Sequence, residues 1–257
     1  MITDPTQFGI ALSLCAFAGM VACSEVGYRL GRRRSAETAY QGIGAIEAAV
    51  FALLGLLLGF SFSGGTAHLE SRRQLIIEEA NAIGTAYLRL DMLAAAEQPE
   101  MRRLFREYVD ARIQIYEKLP NTKAAGQEME RADGLQRQLW SRAIKACQTA
   151  TTPAVAMLLL PAVNHMIDVT TSRRIALYTH LPSLIVAVLT IAALVSGLLA
   201  GFDMSQRRSR SWLHMAAYAF IISLTIYAVI DLDYPRSGLI RLDAADSALA
   251  QLRDSLR

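Results

Sequence analysis

Apolar residues are concentrated in four blocks, at residues 8–23, 45–62, 184–202 and 212–230. Each approaches the roughly 20 apolar residues that a helix rising about 1.5 Å per residue needs to cross a bilayer. The second block contains a single ionisable residue, Glu47. Beyond it the pattern changes but does not stop. Leu69, Ile76, Ala80, Ile83, Tyr87 and Leu90 keep a helical period through a charged stretch that lacks proline. This spacing predicts one helix that leaves the membrane and continues as an amphipathic helix, with Gly64-Gly65 as its joint.

Residues 66–180 read as helices at 66–96, 99–119, 127–149 and 153–178. Pro99 suits a helix start, and Pro120-Asn121 is a stop signal. Phe105 with Val109 and Leu135 with Leu139 give individual segments an apolar face. No strand-like alternation persists. Residues 153–163 are apolar but only about half a span long, which suits a buried helix or a re-entrant piece. The predicted fold is an all-α membrane protein: four transmembrane helices, with a helical-bundle soluble domain inserted between spans two and three. The expected divisions are 1–65 for spans one and two, 66–180 for the soluble domain, 181–231 for spans three and four, and 232–257 for an amphipathic tail.

Composition agrees with that segregation. Hydrophobic residues make up 53% of the 257 residues, yet 19% are charged, too many for a chain held wholly in lipid. The net charge is only +3. Arginines flank apolar spans and form no nucleic-acid stripe, so no nucleic-acid partner is expected. Cys15, Cys23 and Cys147 give neither a disulfide framework nor a metal-binding spacing. The segment MITDPTQ carries no Lys or Arg and the basic run follows the first apolar block, which favours a stop-transfer span over a signal peptide. Glu25 lies four residues before Arg29, the spacing of an interfacial ion pair. Arg29, Arg32, Arg33 and Arg34 follow span one, and Arg207, Arg208 and Arg210 separate spans three and four. The positive-inside rule places both loops in the cytoplasm and the 66–180 domain outside it.

Within span two, Gly55 and Gly59 form a GxxxG pair, which suits close helix packing. Leu54, Leu58 and Phe62, at i, i+4 and i+8, form a bulky stripe beside it. That stripe reads either as ordinary packing or as a hydrophobic pore constriction that gates by dewetting. Trp212 opens span four at an interfacial position, and Ser223 and Thr225 are expected to bond back to their own helix. In DLDYPRSGLIRLD (231–243), Asp231, Asp233 and Arg236 suggest a structured turn held by carboxylate–arginine contacts. Two acids one residue apart are not a calcium ligand set.

Catalytic motifs are absent: the chain has no glycine-rich phosphate loop, HExxH or GxSxG. The histidines, His68, His165, His180 and His214, are scattered. His165 and Asp168 share a helix face but lack further ligands. Glu78 and Glu79 point about 100° apart on a helix. Arg72, Arg73 or Arg89 are their expected partners. No enzyme, metal or cofactor is expected.

The motifs LLGLLLGFSFSG, ESRRQLIIEEANAIGTAYLRLDML, THLPS and DLDYPRSGLIRLD together resemble a family of bacterial membrane proteins labelled bestrophin-like. The resemblance extends over residues 43–243. It implies a four-span protein with a helical domain between spans two and three, by analogy with bestrophin anion channels. Those channels are oligomers, typically pentamers, whose second span lines the pore with three bulky apolar residues at i, i+4 and i+8. Leu54, Leu58 and Phe62 fill that pattern here. Bestrophins keep the middle domain in the cytoplasm, opposite to the arginine-loop reading. Animal bestrophins also carry an acidic calcium clasp that has no counterpart in this chain.

The resulting expectation is an oligomeric ion channel or pore, favouring anions, in a bacterial inner membrane. Its partners would be the lipid bilayer, further copies of itself and small inorganic ions. The alternative is a non-conducting sensor or scaffold whose helical domain binds a partner. A secondary transporter is disfavoured by the lack of an inverted repeat and of a span broken at mid-depth.

Overall fold

Apolar runs without breakers satisfy their backbone groups internally as helices, and the charged remainder is divided by proline and capping residues. The computed structural model describes residues 5–33, 43–119, 121–150, 152–206, 211–234, 239–240 and 243–256, and no strand occurs among them. The helices are α1 (Pro5–Arg33), α2 (Ile43–Leu88), α3 (Gln98–Glu117), α4 (Thr122–Gln148), α5 (Pro153–Tyr178), α6 (Ser183–Gln206), α7 (Trp212–Asp233) and α8 (Asp243–Ser255). Four helical stretches are long and apolar enough to cross a membrane: Gln7–Arg33, Gly44–Met92, Pro153–Ser205 and Trp212–Asp233. The third takes in α5 and α6, which residues 179–182 separate. Within it, α6 is the apolar run, with Asp203 its one ionisable residue.

The chain divides into two compact units. Met1–Leu69 with His180–Ile240 form a spanning unit, and Glu70–Thr179 with Arg241–Arg257 form a helical bundle. In the spanning unit α1 packs along α6 and α7. The α1–α6 contact is backbone to backbone. A Cβ at Gly27 would lie 1.9 Å from the Leu198 carbonyl oxygen, and one at Gly201 would lie 1.9 Å from that of Ser24. Glycine is what permits this approach. The Ser24 hydroxyl crosses the seam and donates to the Gly197 carbonyl at 2.9 Å. Near it, Glu25 and Arg29 form the expected i,i+4 pair at 2.7 Å. Of the two hydroxyls expected to bond back along span four, Thr225 does so, donating to the Ile221 carbonyl at 2.8 Å. Ser223 instead is buried with no hydrogen-bond partner among the described residues.

Two boundaries in α2 differ from the sequence expectation. Gly64-Gly65 does not break the helix, which is continuous from Ile43 to Leu88. A Cβ at Gly65 would meet Leu232 at 3.2 Å, so this glycine admits a neighbouring helix instead of serving as a joint. The helix also ends earlier than residue 96, tightening into a 3-10 turn over Arg89–Met92.

The bundle is built on the amphipathic half of α2. Ile76, Ala80, Ile83, Tyr87 and Leu90 are buried as their spacing predicts. Most of them join Leu104, Phe105 and Tyr108 of α3, Leu139 and Ala143 of α4, and Leu159, Val163 and Met166 of α5 in one core. Residues 153–163, the segment with two readings, are the start of α5, and Val155, Leu159, Ala162 and Val163 bury it in this core. Asn121 caps α4 by accepting the Ala124 N–H at 3.1 Å. The C-terminal α8 packs on α3 through buried Leu249, and Arg253 donates to Asp110 at 2.6 Å.

Candidate functional site

Span two carries the residues for which a pore role was expected, and their placement depends on which face of α2 its own protomer covers. Leu54 and Leu58 are buried, 2% and 7% exposed, in one cluster with Leu189, Ala193, Ala219 and Ile226. They therefore pack within the protomer and do not share a free face with Phe62, which is 46% exposed. Residues 51–60 are apolar or glycine without interruption. Such a helix carries no periodic signal to tell its covered face from its free one.

The uncovered face combines Ile46, Ala48, Ala49, Ala52, Leu53, Gly55, Leu56, Gly59 and Phe60. Phe60 is 67% exposed and Leu56 53%. A Cβ at Gly55 or Gly59 would meet nothing within 4 Å. The close packing assigned to this GxxxG is absent inside the protomer. It is carried instead by Gly27 and Gly201, which belong to two further GxxxG pairs, Gly27/Gly31 and Gly197/Gly201. The same sequence pattern could have found them.

At the C-terminal end of α7 two aspartates accept backbone N–H groups, and Asp233 also faces two histidines. Asp231 receives the N–H groups of Leu239 at 3.1 Å and Ile240 at 3.0 Å. Asp233, 3% exposed, receives the Leu181 N–H at 3.0 Å. His180 Nδ1 lies 3.4 Å and His68 Nδ1 3.7 Å from its two carboxylate oxygens. The His180 ring stacks on Tyr234 with centroids 4.3 Å apart. Arg236, expected to pair with these acids, lies outside the described residues. Asp233, Tyr234 and Leu181 also line a cavity of about 460 Å³, whose other walls include Leu12, Val186 and Ile230.

The bundle holds a third polar arrangement that the sequence did not reveal. Glu79 is fully buried and takes charge-assisted bonds from two buried arginines, Arg112 at 2.5 Å and Arg173. The Arg173 guanidinium lies 4.0 Å from the centroid of the Tyr116 ring, and Tyr108 bonds to Thr170 at 2.9 Å beside it. Burial alone would push the Glu79 carboxyl up, but Arg112 and Arg173 outweigh it and hold the group below its usual range. Burial raises the Tyr108 hydroxyl to about 12. The expected partners of the acidic pair are thus corrected. Arg72 instead donates to the carbonyls of Ala176 and Thr179, and Arg89 donates to that of Leu158. Glu78 lies 3.9 Å from His165 near the surface. Asp168 accepts from Asn164 at 2.8 Å. Among the described residues, no set of three His, Cys, Asp or Glu side chains is placed to hold a metal ion.

These features define an all-helical protein with four membrane-length apolar helices, a buried ionic core in its bundle and an open small-residue face on α2. The chain belongs to the bestrophin-like family: the model of the Bestrophin-like domain matches residues 14–246. Its fold is similar to the crystal structure of a point-mutant bacterial bestrophin homologue from Klebsiella pneumoniae. The TM-score is 0.64 at 13% identity, over 95% of this chain and 98% of that one. Comparison with curated proteins finds no match.

Proposed function

We propose that the protein is an oligomeric ion channel in the bacterial inner membrane, selective for anions, with the uncovered face of α2 lining or flanking its axis. The observation that carries this reading is the composition of that face. Alanine and glycine lie there between Leu53, Leu56 and Phe60, and both glycines are open. The free faces of α6 and α7 also expose bulky residues, among them Leu184, Ile191, Leu213, Phe220 and Ile221, but no open glycine: Gly197 and Gly201 of α6 pack on α1, and α7 has none. Bulky faces suit lipid, whereas small residues allow copies of a helix to approach closely. Membership of the bestrophin-like family and the likeness to a bestrophin homologue support the same reading. The anion preference rests on analogy with bestrophin channels, as does a ring of copies such as a pentamer.

On this reading the neck stripe is Ala52, Leu56 and Phe60, which keep the i, i+4, i+8 spacing on the free face. The expectation for Leu54 and Leu58 passes to these neighbours. Phe62 remains at the edge of the face. Residues 66–180 form the soluble helical domain between spans two and three, flanked by 1–65 and 181–231, and the tail 232–257 closes the chain. Asp231 and Asp233 serve as a structural turn.

Purified protein in planar bilayers should pass current, and Leu56→Ala with Phe60→Ala should change its conductance. Leu54→Ala should instead lower thermal stability, since its side chain packs inside the protomer. Abundant reconstituted protein in well-sealed bilayers with no current would overturn the channel reading. A monomer or dimer with no shared axis would then favour the sensor or scaffold.

A further inference from the structure

We infer that His68, Asp233 and His180 form a proton-operated latch joining three separate stretches of the spanning unit. Three observations meet at this cluster. First, a single buried carboxylate faces two imidazoles that come from α2 and from the link between α5 and α6, while the acid itself ends α7. Second, the two Nδ1 atoms are buried and make no hydrogen bond among the described residues, at separations of 3.7 and 3.4 Å from the acid. Third, Asp233 lines the cavity of about 460 Å³. Among the described residues, no set of three His, Cys, Asp or Glu side chains is placed to hold a metal ion.

What remains is proton chemistry. An imidazolium donates from both ring nitrogens, and a charge-assisted N–H···O bond to carboxylate contracts to about 2.7–2.9 Å. Both separations here exceed that range, so protonation has room to draw the rings inward. Histidine is the side chain that ordinarily changes charge between about pH 5 and 8. Around the cluster stand Asp231, held by the N–H groups of Leu239 and Ile240, Tyr227 next to Asp231, and Tyr234 stacked on His180. The stacking holds the His180 ring nearly parallel to that of Tyr234 while its Nδ1 faces the acid. The sign follows. Charged imidazoles are drawn to the carboxylate and neutral ones are not, so the latch closes on acidification and opens as pH rises. Closing pulls α2 and the start of α6 onto the end of α7.

Thermal unfolding of the full chain in detergent, between pH 8 and 5, tests the latch without using conduction. His68→Gln/His180→Gln keeps size and neutral hydrogen bonding but cannot gain charge. As pH falls to 5, the wild type should gain about tenfold or more in its folded-to-unfolded ratio relative to the double variant, the scale of one bond to a charged group. Each single variant should show a smaller gain. Asp233→Asn should also remove the pH-dependent difference, and the histidine variants keep the test open if it fails to fold. Parallel pH profiles for wild type and the double variant would overturn the latch. If channel activity is found, it should follow the same pH profile only with both histidines present. A pH-dependent latch in a protein that passes no ions would leave this inference standing and remove the channel reading.

Discussion

At the scale of single residues, the arrangement with the largest energetic consequence is Glu79 between Arg112 and Arg173. Removing the acid leaves two guanidinium groups buried with their counter-charge gone. Breaking a buried pair in this way costs about 3–5 kcal/mol. Glu79→Gln should therefore lower the unfolding free energy of the bundle by about that amount, read by chemical denaturation followed by far-UV circular dichroism. The pH response has a defined sign. Because the two arginines hold the Glu79 carboxyl below its ordinary 4.5, its stabilisation is complete above that pH. It is lost as pH falls further, through the depressed folded value. Wild type should show an acid-unfolding step that the Gln variant shows less steeply. The sequence marked Glu79 as an acid in need of a cation but misplaced the cation. Arg72 and Arg89 lie nearby in sequence and are engaged with backbone carbonyls, whereas Arg112 and Arg173 lie 33 and 94 positions away.

At the scale of helices, the decisive contacts are glycines. Gly201 faces the Ser24 carbonyl so closely that even a methyl group must push α1 and α6 apart, whereas Gly55 and Gly59 face open space. Gly201→Ala should lower the melting temperature of the detergent-solubilised protein. Gly55→Ala should leave it unchanged or raise it, since alanine is the better helix former by up to about 1 kcal/mol. Equal effects of both substitutions would contradict this division. If copies meet across α2, Gly59→Leu should reduce the oligomer mass measured by light scattering while sparing the helical content of each chain. All three GxxxG pairs look alike in the sequence. Only the packed neighbours distinguish a seam within the protomer from a face left open.

For the whole molecule, orientation in the bilayer is the question with the plainest test. The arginine loops predict that the domain 66–180 and the C-terminus lie outside the cytoplasm. Arg72, Arg73, Arg173, Arg174, Arg236 and Arg241, near span ends on the opposite side, oppose that assignment in a simple count. The structure engages two of them: Arg72 with the carbonyls at the end of α5, and Arg173 with Glu79. Both belong to a long loop, whose charges weigh less in the positive-inside rule. A reporter fused to the C-terminus should be active only on the extracytoplasmic side, and activity only in the cytoplasm would reverse the orientation.

The sequence by itself determined the helices and the four membrane-length stretches. A run of apolar residues, a missing breaker or a Pro at a helix start acts on the backbone locally, where the residues that decide are also the residues affected. It also carried the amphipathic half of α2, because Ile76, Ala80, Ile83 and Tyr87 alternate with charged positions. Tertiary structure decided which side of the membrane half of α2 is covered. From Phe51 to Phe60 that helix is apolar or glycine throughout, so its periodicity held no direction until α6 and α7 buried Leu54 and Leu58 and left Leu56 and Phe60 free. Tertiary structure likewise brought His68, His180 and Asp233 together from three distant stretches. Their meeting depends on the packing of the spans, which no local spacing encodes.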